Sequence, residues 1–95
     1  MTRKLSRLGT VVMTAGLNAA VSSDVKKLKE LTKAFTRYTS CDWGNLSESD
    51  ATMNDEAFAN ENDRIVAKYN LSFGEIYIIT EWDRSYTTLL FCDEY

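Results

Sequence analysis

The sequence contains no histidine and no proline. Histidine is the side chain most often used as a general base near neutral pH and as a metal ligand. Without proline, no prolyl isomerisation step can slow folding. The four glycines are isolated from one another, which excludes a glycine-rich phosphate-binding loop. We therefore expect no catalytic site, no cofactor and no bound metal, and a protein that is not an enzyme.

Cysteine is also scarce, with only Cys41 and Cys92 in the chain. They lie far apart and form no CxxC pair, so a structural zinc site is not expected. No histidine is present to activate Cys41 as a nucleophile, and a small buried or half-buried thiol is the expected role.

Long hydrophobic runs are absent, and no stretch approaches the ~20 apolar residues that cross a bilayer. The first 21 residues loosely imitate a secretory signal peptide, but polar and glycine residues interrupt their apolar part. We expect a cytoplasmic protein that does not bind membranes. The length of 95 residues fits one domain. Residues 1–8 are predicted to form a basic, partly disordered lead-in, and residues 9–95 a single domain.

Two β-type runs near the C-terminus organise the predicted fold. Glu75–Glu81 and Thr87–Phe91 alternate β-branched, aromatic and polar residues about a short polar break, which is typical of an antiparallel hairpin. Both faces of the hairpin carry apolar residues. We therefore predict that it lies inside a sheet and that Ile78 and Leu89 are buried.

The rest of the chain supplies two helices and two further strands. A short β-run at Thr10–Thr14 and one helical turn at Leu17–Val21 come first. The main helix spans 24–38, and a second helix begins after the N-cap Ser47, with Asp50 in the capping-box position. Arg64–Tyr69 is the next strand. The order β-α-α-β-β-β predicts an α+β fold with a mainly antiparallel sheet and helices packed on one face.

Charge is unevenly distributed along the chain. Residues 1–37 hold eight basic and two acidic side chains, whereas residues 38–95 hold three basic and twelve acidic ones. The basic residues of helix 24–38 have two interpretations: a nucleic-acid-binding surface, or the solvated face of a helix whose apolar stripe packs in the core. The stripe consists of Val25, Leu28, Leu31, Phe35 and Tyr38. No aromatic residue lies among the lysines, which favours the core-packed helix.

The acidic part predicts a surface able to meet a basic partner. A tryptophan beside acids in a loop fits an interface anchor, although a tryptophan that closes the end of a small core is the more frequent case. The candidate partner-binding residues are Asp42, Trp43, Glu48, Asp50, Asp55, Glu56, Glu81, Trp82, Asp83 and Arg84.

Three of these acids also permit an enzymatic alternative. Glu81 and Asp83, joined in space by Asp42, could flank a substrate for acid–base or metal-assisted hydrolysis. The simpler interpretation is turn chemistry, in which Asp83 accepts backbone hydrogen bonds and Arg84 pairs with a nearby acid. We prefer turn chemistry.

Several segments together resemble one family of short proteins encoded on plasmids, phages and integrated elements of Gram-positive bacteria. Members carry labels such as plasmid-related protein or type I restriction methylase subunit. The segments are GTVVMTAGLN (9–18), CDWGNL (41–46), IYIITE (76–81), DRS (83–85), TTLLF (87–91) and the final Glu94-Tyr95. The chain departs from the family at Trp82, where a small residue is usual, and at Cys92, where proline is usual.

The resemblance implies an origin on a mobile element. A methyltransferase needs a doubly wound sheet with a glycine-rich turn, and this chain is too short and has neither. Small acidic proteins of such elements often block host defence machinery. The expected function is therefore inhibition of a host defence protein or ribonucleoprotein complex with a basic channel, of the anti-CRISPR or anti-restriction type. The alternative is a nucleic-acid-binding regulator that uses helix 24–38, and a homodimer is possible in either case.

The cytoplasmic interpretation makes a direct prediction about Cys41 and Cys92, because disulfides seldom persist in a reducing compartment. Thiol titration of the unfolded, non-reduced protein should find two free thiols per chain. A titration that finds none would contradict both the redox state and the expected compartment.

Overall fold

The computed structural model describes residues 3–95, and these form one α+β unit. The elements are β1 (Thr10–Met13), α1 (Ala15–Val21), α2 (Val25–Thr39), α3 (Glu48–Asn60), β2 (Ile65–Leu71), β3 (Gly74–Thr80), β4 (Tyr86–Phe91) and a final 3₁₀ turn (Cys92–Glu94). The predicted α+β class and the order of strands and long helices are confirmed. The short helix α1 extends the single turn expected at Leu17–Val21.

The four strands form one sheet in the order β1-β4-β3-β2. The β3–β4 hairpin is antiparallel and occupies the two central positions, with Ile78 opposite Leu89, and both residues are buried. Strand β2 pairs antiparallel with β3, whereas β1 pairs parallel with β4. Since the hairpin has a neighbour on each side, the prediction that it lies inside the sheet is confirmed.

Helix α2 buries only part of its predicted apolar stripe. Its N-cap Asp24 accepts hydrogen bonds from the backbone N–H groups of the first turn, and Leu31 and Tyr38 lie in the core. Val25 and Leu28 are exposed, contrary to the prediction. Leu28 lies beside β1, and this strand of four residues is too short to cover that flank of the helix.

A chain of three buried hydroxyl groups joins α2, the central hairpin and the N-terminal segment. The oxygens of Tyr38 and Thr80 lie 2.6 Å apart, those of Thr80 and Thr87 lie 2.7 Å apart, and the Thr87 hydroxyl donates to the Leu8 carbonyl at 2.7 Å. Each hydroxyl has one proton. Thr80 must therefore donate to Thr87, and Tyr38 must donate to Thr80. Burial raises the pKa of Tyr38 well above its ordinary value, so the phenol keeps this proton.

The N-terminal segment, residues 3–8, contacts the domain through Leu5 and Leu8, and its other four side chains are exposed. Leu5 is buried, and its N–H donates to the carbonyl of Thr39 at 2.7 Å. Arg7 pairs with Glu61 at 2.9 Å. Gly9 then turns the chain into β1 at a φ of +64°, where an added Cβ would collide with the backbone of the β3–β4 turn.

Neither cysteine forms a disulfide: Cys41 is buried and Cys92 is half-buried. Among residues 3–95, no helix combines the length and the apolar character that a membrane span requires.

The direction of the hydroxyl chain predicts unequal effects of two isosteric changes. Tyr38→Phe removes the first donor and leaves every remaining proton bonded, so it should cost about 1 kcal/mol of unfolding free energy. Thr80→Val removes the middle group and leaves the buried Tyr38 hydroxyl without an acceptor, so it should cost about 1–3 kcal/mol. Urea denaturation with linear extrapolation measures both values.

Thr88→Val is the matched control, since Thr88 is half-buried on the opposite face of the sheet. It should change the unfolding free energy by less than about 0.5 kcal/mol. A Thr80→Val variant as stable as Tyr38→Phe would show that the chain does not run in this direction.

Candidate functional site

Asp42, the first predicted contact residue, is engaged in a local ion pair. The Arg37 guanidinium donates to both carboxylate oxygens, at 2.8 and 3.2 Å, and the Gly44 N–H donates to one of them at 3.1 Å. These bonds hold the pKa of Asp42 below its ordinary value, with the Arg37 hydrogen bond as the main cause. Asp42 stays ionised, but the Arg37 cation beside it partly offsets the negative charge that a partner would meet.

Trp43 and Asp55 belong to the core and its border. The Trp43 side chain is 5% exposed, its ring packs edge-on against Tyr38, and its indole N–H donates to the Asp55 carboxylate at 2.9 Å. Arg3 pairs with the same carboxylate at 2.7 Å. The bond from Trp43, followed by that from Arg3, lowers the pKa of Asp55. Trp43 closes the core, so its candidacy as an exposed anchor is wrong.

Arg84 is also buried, at 6% exposure, and its guanidinium binds backbone carbonyls. One nitrogen donates to the carbonyl of Ala57 at 2.9 Å, and another to that of Asp63 at 2.6 Å. The second nitrogen also reaches the carbonyls of Glu81 and Trp82 at 3.2 and 3.3 Å. The expected pairing of Arg84 with an acid is therefore wrong. Its cation caps the C-terminal end of α3, where the helix dipole is negative.

The β3–β4 turn held by Arg84 presents a tryptophan and two acids. Trp82 is 66% exposed, Glu81 is half-buried and Asp83 is exposed. Asp83 accepts from the hydroxyl and the backbone N–H of Ser85, and these bonds lower its pKa. The predicted turn chemistry of Asp83 is thus confirmed, and Trp82 has no comparable structural role.

The acids of α3 do not share one face. At 100° per residue, Asp50 falls on one flank, Glu48 and Asp55 on the other, and Glu56 on the side away from the core. Asp50 lines a groove, whereas Asp55 reaches Arg3. Glu48, Asp50 and Glu56 are exposed, and no ion pair involves them within the described chain. The predicted acidic surface is therefore divided into separate patches.

A groove of about 600 Å³ lies between α3 and the sheet face opposite α2. Its walls include Asp50, Met53, Asp63, Arg64, Tyr77 and Tyr95. The rings of Tyr77 and Tyr95 pack edge-to-face with their centroids 5.5 Å apart, and Arg64 donates to the Tyr95 hydroxyl at 2.7 Å. Exposed apolar atoms of Met53 and Tyr95 thus lie beside carboxylates.

Arg84 links this groove to the Trp82 turn. Asp63 lines the groove, and its carbonyl shares the Arg84 guanidinium with the carbonyl of Trp82. We call the turn 81–83 together with this groove the Trp82 site. The groove residues that sequence reasoning missed are Met53, Asp63, Arg64, Tyr77 and Tyr95, and only the exposed aromatic Tyr95 could have indicated one of them.

The Trp82 site is suited to contact with a protein surface. It combines exposed aromatic and thioether groups with carboxylates and with the cations Arg64 and Lys68, and it is open to solvent along one side. Among residues 3–95, no three Cys, Asp or Glu side chains form a group that could hold a metal ion. Comparisons with protein-family models, with curated proteins and with solved structures find no match to this chain.

The buried guanidinium predicts a large stability effect at Arg84. Arg84→Met keeps most of the side-chain volume but leaves the Asp63 carbonyl without a donor and removes one of the two donors to the Ala57 carbonyl, which should lower the unfolding free energy by about 1–3 kcal/mol. Arg64→Met, which removes an exposed guanidinium from the same region, should cost less than about 0.5 kcal/mol. Equal effects of the two changes in urea denaturation would contradict the structural role of Arg84.

Proposed function

We propose that the protein is a non-enzymatic accessory factor of a mobile element that inhibits a host defence complex by protein–protein binding. The inhibition is of the anti-CRISPR or anti-restriction type, and it acts in the bacterial cytoplasm. The Trp82 site is the contact surface. The proposal combines the family resemblance of the sequence with the exposure and charge of this site.

The observation that carries the proposal is the exposed indole of Trp82 on a turn whose backbone is fixed. An exposed tryptophan places a large apolar surface in water and adds nothing to the stability of the fold. A tryptophan that loses its water at an interface is among the strongest anchors. Arg84 binds the carbonyls of Glu81 and Trp82. Because the turn is already ordered, little conformational entropy is lost when a partner covers it.

Charge favours a basic partner. The acids that favour it are Glu81 and Asp83 beside the indole, because the acids Asp50 and Asp63 share the adjoining groove with the cations Arg64 and Lys68. A defence complex presents a basic channel for its nucleic acid, and carboxylates on a complementary surface accelerate association with such a channel. Binding there would compete with the phosphate backbone.

The second candidate function, nucleic-acid binding by α2, has one supporting observation. Lys26, Lys29 and Lys33 are free of ion pairs among the described residues, whereas Arg37 pairs with Asp42 and Lys27 lies over the ring of Phe73. Three ammonium groups on one exposed helix face can bind phosphates. No exposed aromatic residue lies among them to stack on bases, which favours the Trp82 site.

Affinity capture from an extract of a Gram-positive host, followed by binding kinetics on the purified target complex, tests the proposal. Trp82→Ala should speed dissociation about 30-fold or more, because a lost aromatic anchor costs about 2 kcal/mol. The pair Asp50→Lys with Glu81→Lys should mainly slow association, with a smaller effect at high salt. Both sets of changes lie on exposed or half-exposed side chains, so circular dichroism spectra should match that of the unchanged protein.

Lys26→Glu, Lys29→Glu and Lys33→Glu together form the control on the opposite charge. They should leave capture and inhibition of the target's nucleic-acid cleavage intact. If instead they abolish binding while the Trp82 and Asp50 variants bind normally, the Trp82 site is not the contact surface and the helix α2 alternative is correct.

A further inference from the structure

The edge of the sheet at β2 is covered by the chain itself. Asn54 of α3 donates to the Val66 carbonyl at 2.8 Å and accepts from the Val66 N–H at 3.2 Å. The Lys68 N–H donates to the Trp43 carbonyl at 3.3 Å, and the Asn45 N–H donates to the Lys68 carbonyl at 2.6 Å. The outward-facing N–H and C=O groups of Val66 and Lys68 in this edge strand therefore all have hydrogen-bond partners.

The opposite edge, at β1, is open. The Thr10 N–H donates to the Ser85 carbonyl in the turn before β4 at 3.0 Å, and the Thr14 N–H donates to the Leu89 carbonyl of β4 at 3.1 Å. Since alternate residues of a strand face opposite neighbours, the N–H and C=O groups of Val11 and Met13 face away from β4. Within the described residues no strand lies on that side. Two donors and two acceptors are thus available at this edge.

Exposed apolar side chains concentrate at the same place. Val11 and Val12 of β1 and Val25 and Leu28 of α2 are four of the eight large apolar side chains exposed among residues 3–95. Between β1 and α2 lies an apolar groove of about 240 Å³, whose lining includes Leu28 and Phe35. Strand β1 has none of the charges, prolines or bulges that usually protect an edge strand from pairing.

We propose that this edge is a homodimer interface, in which β1 of a second copy pairs antiparallel with β1 and joins the two sheets. The open groups are self-complementary, and a second copy also brings its own exposed Val12 and Leu28 to the junction, which an unrelated peptide need not do. Val11 and Met13 lie at equal distances on either side of Val12, so a twofold axis at Val12 places Val11 opposite Met13 of the other copy. Both open N–H groups and both open C=O groups of each copy are then paired, which makes four intermolecular hydrogen bonds.

The same arrangement covers the exposed apolar residues. Val11 and Met13 point to the helix side of the sheet, as Thr87 and Leu89 do in the register with β4. Helix α2 of each copy flanks the new junction on that side, so Leu28 lies next to the α2 of the other copy. The β2 edge stays at the far end of each sheet, which closes the assembly at two copies.

Sedimentation velocity and light scattering over a range of concentrations test this interface. The unchanged chain should be a dimer. Val11→Pro removes an outward N–H that β4 does not use, so the fold should remain and the dimer dissociation constant should rise at least about tenfold. Leu28→Glu should have the same effect through the helix contact. Met53→Glu, a change at an exposed apolar residue of α3, is the control and should leave the dimer intact.

A cysteine scan tests the position of the axis. Val12→Cys should form a disulfide between copies under copper-phenanthroline oxidation, because the two Val12 residues face each other across the axis. Thr10→Cys should not, since residue 10 lies opposite residue 14 of the other copy. Peptide mapping distinguishes these links from any that involve Cys92. A monomer at all concentrations, or a dimer unaffected by both Val11→Pro and Leu28→Glu, would overturn the proposal.

Discussion

The buried hydroxyl chain from Tyr38 through Thr80 and Thr87 to the Leu8 carbonyl is the interaction on which the other features depend. Thr80 and Thr87 are opposite each other in the central hairpin, so a slip of either strand by one residue would move its hydroxyl to the other face and break the hydroxyl chain. The same bonds hold the segment that leads into β1. They therefore fix the position of the edge strand as well as that of α2.

Arg84 also holds separate segments of the chain together. It joins the end of α3, the segment before β2 and the β3–β4 turn through backbone carbonyls alone. A buried cation without an acidic partner is tolerated because several carbonyl dipoles and the end of a helix face it. The consequence is a turn that presents Trp82 in a fixed orientation. Stability and the proposed binding function are thus linked through one side chain.

The sequence by itself determined the elements and their class. Period-two alternation at 75–81 and 87–91 predicted the hairpin, and the three- and four-residue spacing of apolar residues predicted α2, because both patterns are local. Capping residues placed the helix starts at Asp24 and Ser47. The central position of the hairpin could be predicted as well, since apolar residues on both faces of a strand pair require neighbours on both sides.

Only the tertiary structure decided which of the candidate residues are exposed. Trp43 and Trp82 both lie in loops beside acids, yet one is buried and the other is exposed, because burial depends on segments far away in the chain. Asp55 meets Arg3 across 52 positions, and Arg84 meets the end of α3 across 27. The number of charged residues in each part of a sequence does not show which of them pair in the folded structure. The covered edge at β2 and the open edge at β1 likewise follow from strand order, which local patterns do not encode.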